Sequence, residues 1–202
     1  LTLSADGSGK AYAGVRAAVI SLSGVQIAAN VVIAKLTAEQ NVFIIDTDLT
    51  TSGNVSILST YNKNSTSAKS TPCGAVAAIT SPDLSATLYG LHINSATAIT
   101  DAKVRAFTRA SSITANQLTI KASGKSIAVP TYTLGTKLGA ALLGVVTLYG
   151  DSAGLFEAYA DVSNHKTITV SSLDIDTDYT ASSDVTLAVP EGGVQAALVS
   201  GT

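Results

Sequence analysis

Tryptophan and methionine are absent from this 202-residue chain, phenylalanine occurs three times, and cysteine once. A core built around a few large aromatic anchors is therefore excluded. A lone thiol, Cys73, cannot close an internal disulfide, and one Cys is a poor metal site. It sits in Thr71-Pro72-Cys73-Gly74, reads as part of a turn, and is expected to be a small buried filler. Charge is scarce too: 13% of residues are charged and the net charge is −2. No basic patch is on offer to nucleic acid or to an acidic membrane face. Low charge with 46% apolar residues also argues against a disordered chain. The apolar stretch Gly139 to Leu148 is far too short to span a bilayer, so no membrane span is expected. The chain opens on Leu1, with no charged segment followed by an apolar one, and is expected to be a processed or excised piece from which any signal peptide has gone.

What is present in quantity is Ala, Ser, Thr and Val, residues that suit thin, closely spaced β layers. Internal repetition is visible. Asn54 to Ile79, Asn116 to Val146 and Ser171 to Val199 each run strand, polar stretch, proline, then a Gly-Ala-rich apolar strand. Pro72, Pro130 and Pro190 mark the copies, as do Gly74, Gly139 and Gly193. Gly9 to Ile20 reads as the end of an earlier copy. The period is about 55 to 65 residues, in the range of repeat architectures, with approximate repeats 1–53 (partial), 54–115, 116–170 and 171–202 (partial) in one repetitive domain. A rival self-match, Ile45-Asp46-Thr47-Asp48-Leu49-Thr50 with Ile175-Asp176-Thr177-Asp178-Tyr179-Thr180, sets a different register.

The local pattern is that of strands. Leu118, Ile120, Ala122 and Gly124 alternate with Thr119, Lys121 and Ser123; Leu173, Ile175, Thr177 and Tyr179 alternate with Asp174, Asp176 and Asp178. Ala11 to Glu39 and Leu134 to Leu148 are rich enough in Ala for helix, but the first carries so many Val and Ile, interrupted by Gly14 and Gly24, that strand is the expectation. A propeller needs more blades than this chain has copies. A sandwich array should show a Trp or Tyr corner and clear linkers. The expected fold is all-β, a right-handed parallel β-helix (β-solenoid) built from diverged repeats of about 60 residues, with a β-sandwich as the alternative.

The segments GKAYAGVRAAVI, NVSILSTYNKNSTSAKSTPCGAVAAI and ITANQLTIKASGKSIAVP together resemble the repetitive passenger regions of large bacterial autotransporter and filamentous-haemagglutinin-like adhesins, over essentially the whole chain. The resemblance lies in composition and rhythm. It implies a right-handed parallel β-helix, export to the cell surface and a role in adhesion or as a stalk; it carries over no functional residue.

Candidate chemistry is thin. Neither His92, between apolar residues, nor His165, in a polar turn, lies near a Gly-x-Ser-x-Gly elbow, and the chain has none. Gly7-Ser8-Gly9-Lys10 lacks the upstream glycine and the strand of a phosphate-binding loop. A polysaccharide-cleaving β-helix is the natural enzymatic alternative, but no Trp platform or carboxylate pair with basic neighbours supports it. The sharpest polar feature is the pair of Ile-Asp-Thr-Asp segments. Asp46 and Asp48, with Asp174, Asp176 and Asp178, are calcium candidates if neighbouring strands gather them. The plainer reading is a charged strand edge that deters edge pairing. Asn54-Val55-Ser56 and Asn64-Ser65-Thr66 match the glycosylation sequon, which matters only in a glycosylating secretory route.

The expectation is thus a non-enzymatic, extracellular surface protein segment, without a cofactor, an adhesin or stalk of an exported repetitive protein. Its partners would be host or neighbouring-cell surface molecules or copies of itself, with self-association through uncapped ends. The alternative is a structural subunit of an extracellular filament or surface layer assembled by strand pairing.

Overall fold

A computed structural model describes residues 1–16, 22–63, 74–81, 85–134, 137–188 and 196–201. These residues form twelve strands and no helix: β1 (Thr2–Gly7), β2 (Lys10–Arg16), β3 (Leu22–Ile45), β4 (Asp48–Thr50), β5 (Asn54–Tyr61), β6 (Gly74–Ser81), β7 (Ser85–Arg109), β8 (Ser112–Leu134), β9 (Lys137–Asp161), β10 (Ile168–Ser183), β11 (Thr186–Ala188) and β12 (Ala196–Gly201). The all-β expectation holds, and the described residues of the Ala-rich stretches Ala11 to Glu39 and Leu134 to Leu148 (11–16, 22–39, 134 and 137–148) are strand. The β-branched residues set that outcome over the helix propensity of Ala.

Every pairing among these strands is parallel, in two sheets, one of them curled into a half-barrel. The register has a simple regularity. Thr2 lies beside Ser56, Asn54 beside Gln117, and Ile168 beside Ile113 in sheet A. Leu22 lies beside Ala86, Ser85 beside Lys137, and Ala196 beside Val145 in sheet B. Each strand pairs with chain 51 to 64 residues further on. The chain therefore visits sheet A, then sheet B, and returns to sheet A one row over. The rows of sheet A are β1 with β2, then β4, β5 and β6, then β8, then β10 with β11; those of sheet B are β3, β7, β9 and β12.

Positions at the same level in successive rows form columns of like side chains. One inward column of sheet A is Leu3, Ile57, Ile120 and Ile175. Two clusters that draw on both sheets fill the space between them. The first includes Val42, Ile57, Val104 and Ile120; the second Val32, Ile79, Ala96, Tyr132 and Leu148. The predicted alternation in 118–124 is the observed one, with Leu118, Ile120 and Ala122 at 0% exposure. Many inward residues are Ala, which lets the sheets sit close. Side-chain amides also bond between rows: Asn30 Nδ2 donates to Oδ1 of its column partner Asn94 at 2.9 Å, and Asn116 Nδ2, one position off the column of Asn54, donates to Asn54 Oδ1 at 3.2 Å. Stacked amides in register are a known stabiliser of parallel strands.

The marks used to align the repeats behave unequally. Asn54, Gln117 and Ser172 share a column, so the starts of the repeats at 54, 116 and 171 fall within one position of it. The glycines do not correspond: Gly74 opens β6 in sheet A, whereas Gly139 pairs with Thr87 in sheet B. Pro130 lies inside the 23-residue strand β8, beside Ala77, and not in a break. Pro72, Pro190 and Gly193 lie outside the described residues. Tyr61 pairs with Gly124 and Ala75 with Ala128, so fourteen steps in the second row span what four steps span in the third. That excursion, absent from the first row, where Gly7 pairs with Tyr61 and Lys10 with Gly74, offsets Pro72 and Gly74 from their apparent counterparts.

Return from sheet B to sheet A takes two residues in the first two rows. Asp46 and Ala110 adopt the left-handed conformation there, with φ of 50° and 49°. Each backbone N–H donates to the row beyond: Asp46 to Arg109 O and Ala110 to Asp161 O, both at 3.1 Å.

Candidate functional site

The long strands fix which side chains reach solvent. In β3, Val32, Ala34, Val42 and Ile44 face the core. A strand has a two-residue period, so the odd-numbered residues of β3 face outward. Those at its start are apolar: Val25 and Ile27 are 67% and 73% exposed, and Val31 and Ile33 are comparably open. The neighbouring rows continue the patch. Val25 lies beside Tyr89, Ile27 beside Leu91 and then Leu143, and Ala29 beside Ile93 and then Val145. No charged residue occurs within 22–34, 85–98 or 137–150 apart from Lys137. The outer face of sheet B thus carries a contiguous apolar surface across three rows, the usual signature of an interaction surface. A recess of about 430 Å³ opens within it, lined by Val25, Gln26, Ile27, Tyr89, Gly90, Leu91 and Leu143. Gln26 is buried, and its Oε1 has no hydrogen-bond partner among the described residues.

The same face carries an aromatic column farther along. Phe43, Phe107 and Tyr159 occupy one level in three rows, with ring centroids 5.4 and 4.9 Å apart and planes inclined by 24° and 9°. Beside it Arg105 Nε donates to Glu157 at 2.6 Å, and its guanidinium lies 3.9 Å from Glu39. The rings stack on one another, so it is their edges that meet solvent.

A second apolar feature lies at the first-row edge. Leu1, Leu3, Phe43, Ile44, Ile45, Thr47 and Leu49 line a recess of about 380 Å³. At the last row the inward-pointing Leu173, Ile175 and Tyr179 of β10 are also open, at 51%, 40% and 36% exposure.

The structure does not bring the calcium candidates together. Asp48 lies in a column with Ser112, whereas Asp174 and Asp176 lie in columns with Thr119 and Lys121, seven and nine positions along the strand. Asp46 belongs to the turn before Asp48 and is exposed. The resemblance of the two Ile-Asp-Thr-Asp segments is thus not a structural equivalence. Lys166 Nζ donates to Asp48 Oδ1 at 2.7 Å and, with help from Ser112, holds that carboxyl below its usual 3.8. Lys121 lies 2.9 Å from Asp174 and 3.7 Å from Asp176. The hydrogen bond to Asp174, foremost, raises the ammonium above its usual 10.5. Asp178 is exposed, in a column with Ser123. Among the described residues no three His, Cys, Asp or Glu side chains gather closely enough to hold a metal ion.

His92 lies on the inward face of β7 and is buried; His165 is exposed in a turn with φ of 61°. Cys73 and Asn64 lie outside the described residues. Gly9 of the phosphate-loop-like segment donates its N–H to Asn62 Oδ1 at 3.0 Å, between β1 and β2. A polar cluster unseen in the sequence sits between the sheets: Thr100 Oγ1 and Ser126 Oγ are 2.5 Å apart, and Ser152 Oγ donates to Ser126 O at 2.6 Å. Burial raises the nearby Tyr179 phenol, against hydrogen bonds with Ser126 and Ser152 that lower it. No helix among the described residues is long and apolar enough to cross a membrane. Set against protein-family models, curated proteins and solved structures, the chain has no match.

Proposed function

We propose that the chain is a non-enzymatic segment of an exported, surface-exposed repetitive protein, folded as a right-handed parallel β-solenoid and acting as an adhesin or stalk. The single observation that carries this reading is the apolar stretch at the start of sheet B's outer face, spread over three rows and supported beneath by regular columns. Such a surface recognises by area and shape, as adhesive surfaces do, and the rows beneath it supply rigidity. The right hand is part of the proposal, supported by the general tendency of parallel crossovers within a sheet to be right-handed.

The test is retention of cells. Beads bearing the chain are compared with beads bearing a variant with Val25→Ser, Ile27→Ser and Leu143→Ser, against a panel of host and bacterial cells. Retention of a cell type by the native chain, and its loss with the variant at unchanged circular dichroism, is the expected result. Equal retention by both, or by neither, overturns the assignment of this face.

A further inference from the structure

At the start of sheet B the usual alternation is inverted. Gln26 and Asn30 of β3 point toward the core, while Val25, Ile27, Val31 and Ile33 point out and are 61–73% exposed. The next row repeats the inversion: the buried His92 and Asn94 flank the outward Ile93. Tyr89, Leu143 and Val145 extend the outer stretch, at 61%, 58% and 40% exposure. A slip of β3 by one residue would bring its large aliphatic side chains inside, so water is a poor fit for the face they occupy. The rest of the outer surface behaves differently. Lys35 and Asp151 end the apolar stretch at one level. In sheet A, across the levels of Thr2 to Asp6 and the residues beside them in the other rows, Leu58 alone among the outward residues is apolar. Parallel strands that are apolar on both faces belong to sheets covered on both.

We propose that the cover is a second copy of this chain, its sheet B packed face to face on the first about a twofold axis through Ile93. The pairing rests on the reading above, that this stretch is the contact surface, and names the partner. Area favours a copy. A large apolar residue carries about 100–200 Å² of surface, so the eight open ones, at 40–73% exposure, present roughly 500–900 Å². The largest apolar patch of a typical monomer is about 300–600 Å², and each side of a standard interface contributes about 800 Å². A flat sheet of aliphatic side chains also packs well on another, strands nearly aligned, and a twofold contact closes on itself. Charge favours one orientation. With the axis along the rows, the strands of the two copies run antiparallel, and a position before Ala29 meets one equally far after it. The level of Lys35 and Asp151 then meets the uncharged level of Ser23, Thr87 and Gly139. With the axis along the strands, Lys103 and Arg105 of the middle row would each face their own copy, and like charges oppose the contact. In the favoured arrangement Ile93 and Val145 each lie over themselves, and Ile27 lies over Val31 of the second copy.

The test is cross-linking in a Cys73→Ser background. Packed sheets lie about 10 Å apart, beyond disulfide reach, so a short bismaleimide is the coupling agent. Ile93→Cys should couple to itself. A mixture of the Ile27→Cys and Val31→Cys variants should give heterodimers in preference to either homodimer. Thr119→Cys, on the outer face of sheet A, should not couple. Sedimentation equilibrium supplies a second reading: the chain should show a monomer–dimer equilibrium, and Ile93→Lys should raise its dissociation constant at least about 100-fold, because each copy then buries an unpaired charge against its twin. Ile93 is 43% exposed within one chain, so circular dichroism should not change; if it does, Ile27→Lys, at a position 73% exposed, takes its place. A chain that stays monomeric, a dimer indifferent to the lysine, or coupling through Thr119→Cys alone overturns the pairing. So does a monomer that floats with phosphatidylcholine vesicles, which would assign the face to a lipid surface. A monomer that still retains cells overturns the pairing and leaves the reading above in place. A lysine-sensitive dimer that retains no cell upholds the pairing and overturns the adhesin role.

Discussion

Gly124→Ala places the smallest side chain against the backbone of a neighbouring row. The added carbon would overlap the carbonyl oxygen of Tyr61 and come within 3.0 Å of the Phe156 ring. Tyr61 O belongs to the backbone of the neighbouring row and cannot swing aside as a side-chain tip would. Relief requires the second and third rows to separate locally, straining their pairing at the level of Tyr61. Overpacking typically costs about 1–3 kcal/mol and loss of one backbone hydrogen bond about 1 kcal/mol, so a loss of about 2–4 kcal/mol is expected. Two other glycines calibrate the figure. At Gly7 the obstacle is the amide end of Gln40, a mobile side chain, though that amide also donates to Ala5 O and Thr60 O. Gly7→Ala should cost less than half as much. At Gly53 the nearest atom is Thr51 Oγ1 at 3.7 Å, so Gly53→Ala should be neutral or stabilise by a few tenths of a kcal/mol, roughly as restricting the unfolded chain does. Urea unfolding followed by circular dichroism ranks the three. If Gly124→Ala falls within about 0.5 kcal/mol of Gly53→Ala, below any overpacking cost, the close contact between the second and third rows is refuted.

Ile120→Ala, at a fully buried site in the middle of its column, should cost about 2–5 kcal/mol, whereas Ile175→Ala, 40% exposed at the edge, should cost less than half of that; equal losses in urea titrations would contradict the row order. Ala110→Gly should stabilise by up to about 1 kcal/mol, since a left-handed conformation disfavours a Cβ; a loss in thermal unfolding would count against the turn geometry. The Asp48 carboxyl should titrate below 3.8 by carboxyl NMR: its folded value is depressed, so its contribution is present above the unfolded value and lost as pH falls through the folded one. Lys121 behaves in the opposite sense, its contribution being complete below 10.5 and lost as pH rises through its raised value. An Asp48 midpoint at or above 3.8 would remove the Lys166 contact.

Local structure was legible in the sequence because alternation is a local signal. Leu118, Ile120 and Ala122 announce both strand and inward face, and they occupy it. Register was only partly legible, because columns of Ala, Ser, Thr and Val are chemically alike, and sliding one row past another changes little that composition can report. Prolines and glycines seemed firmer marks, but the ten extra residues of the second row shifted Pro72 and Gly74, and Pro130 sits within a strand. The outer apolar face was hidden for a different reason. Val25, Ile27, Val31 and Ile33 look like core residues. Their direction is fixed farther along the same unbroken strand by Val42 and Ile44, and only a strand of 24 residues carries that decision so far.

The row order also has a mechanical meaning. The described residues begin in an outer row and end in the opposite outer row, with each row held by hydrogen bonds to its neighbour. A load applied across the stack therefore falls on one edge row at a time, peeling its bonds in sequence instead of shearing them together. Each row surrendered would release 51 to 64 residues, about 170–230 Å of extended chain. Pulled in this way, the stack lengthens in steps, and the rows left behind keep their columns intact.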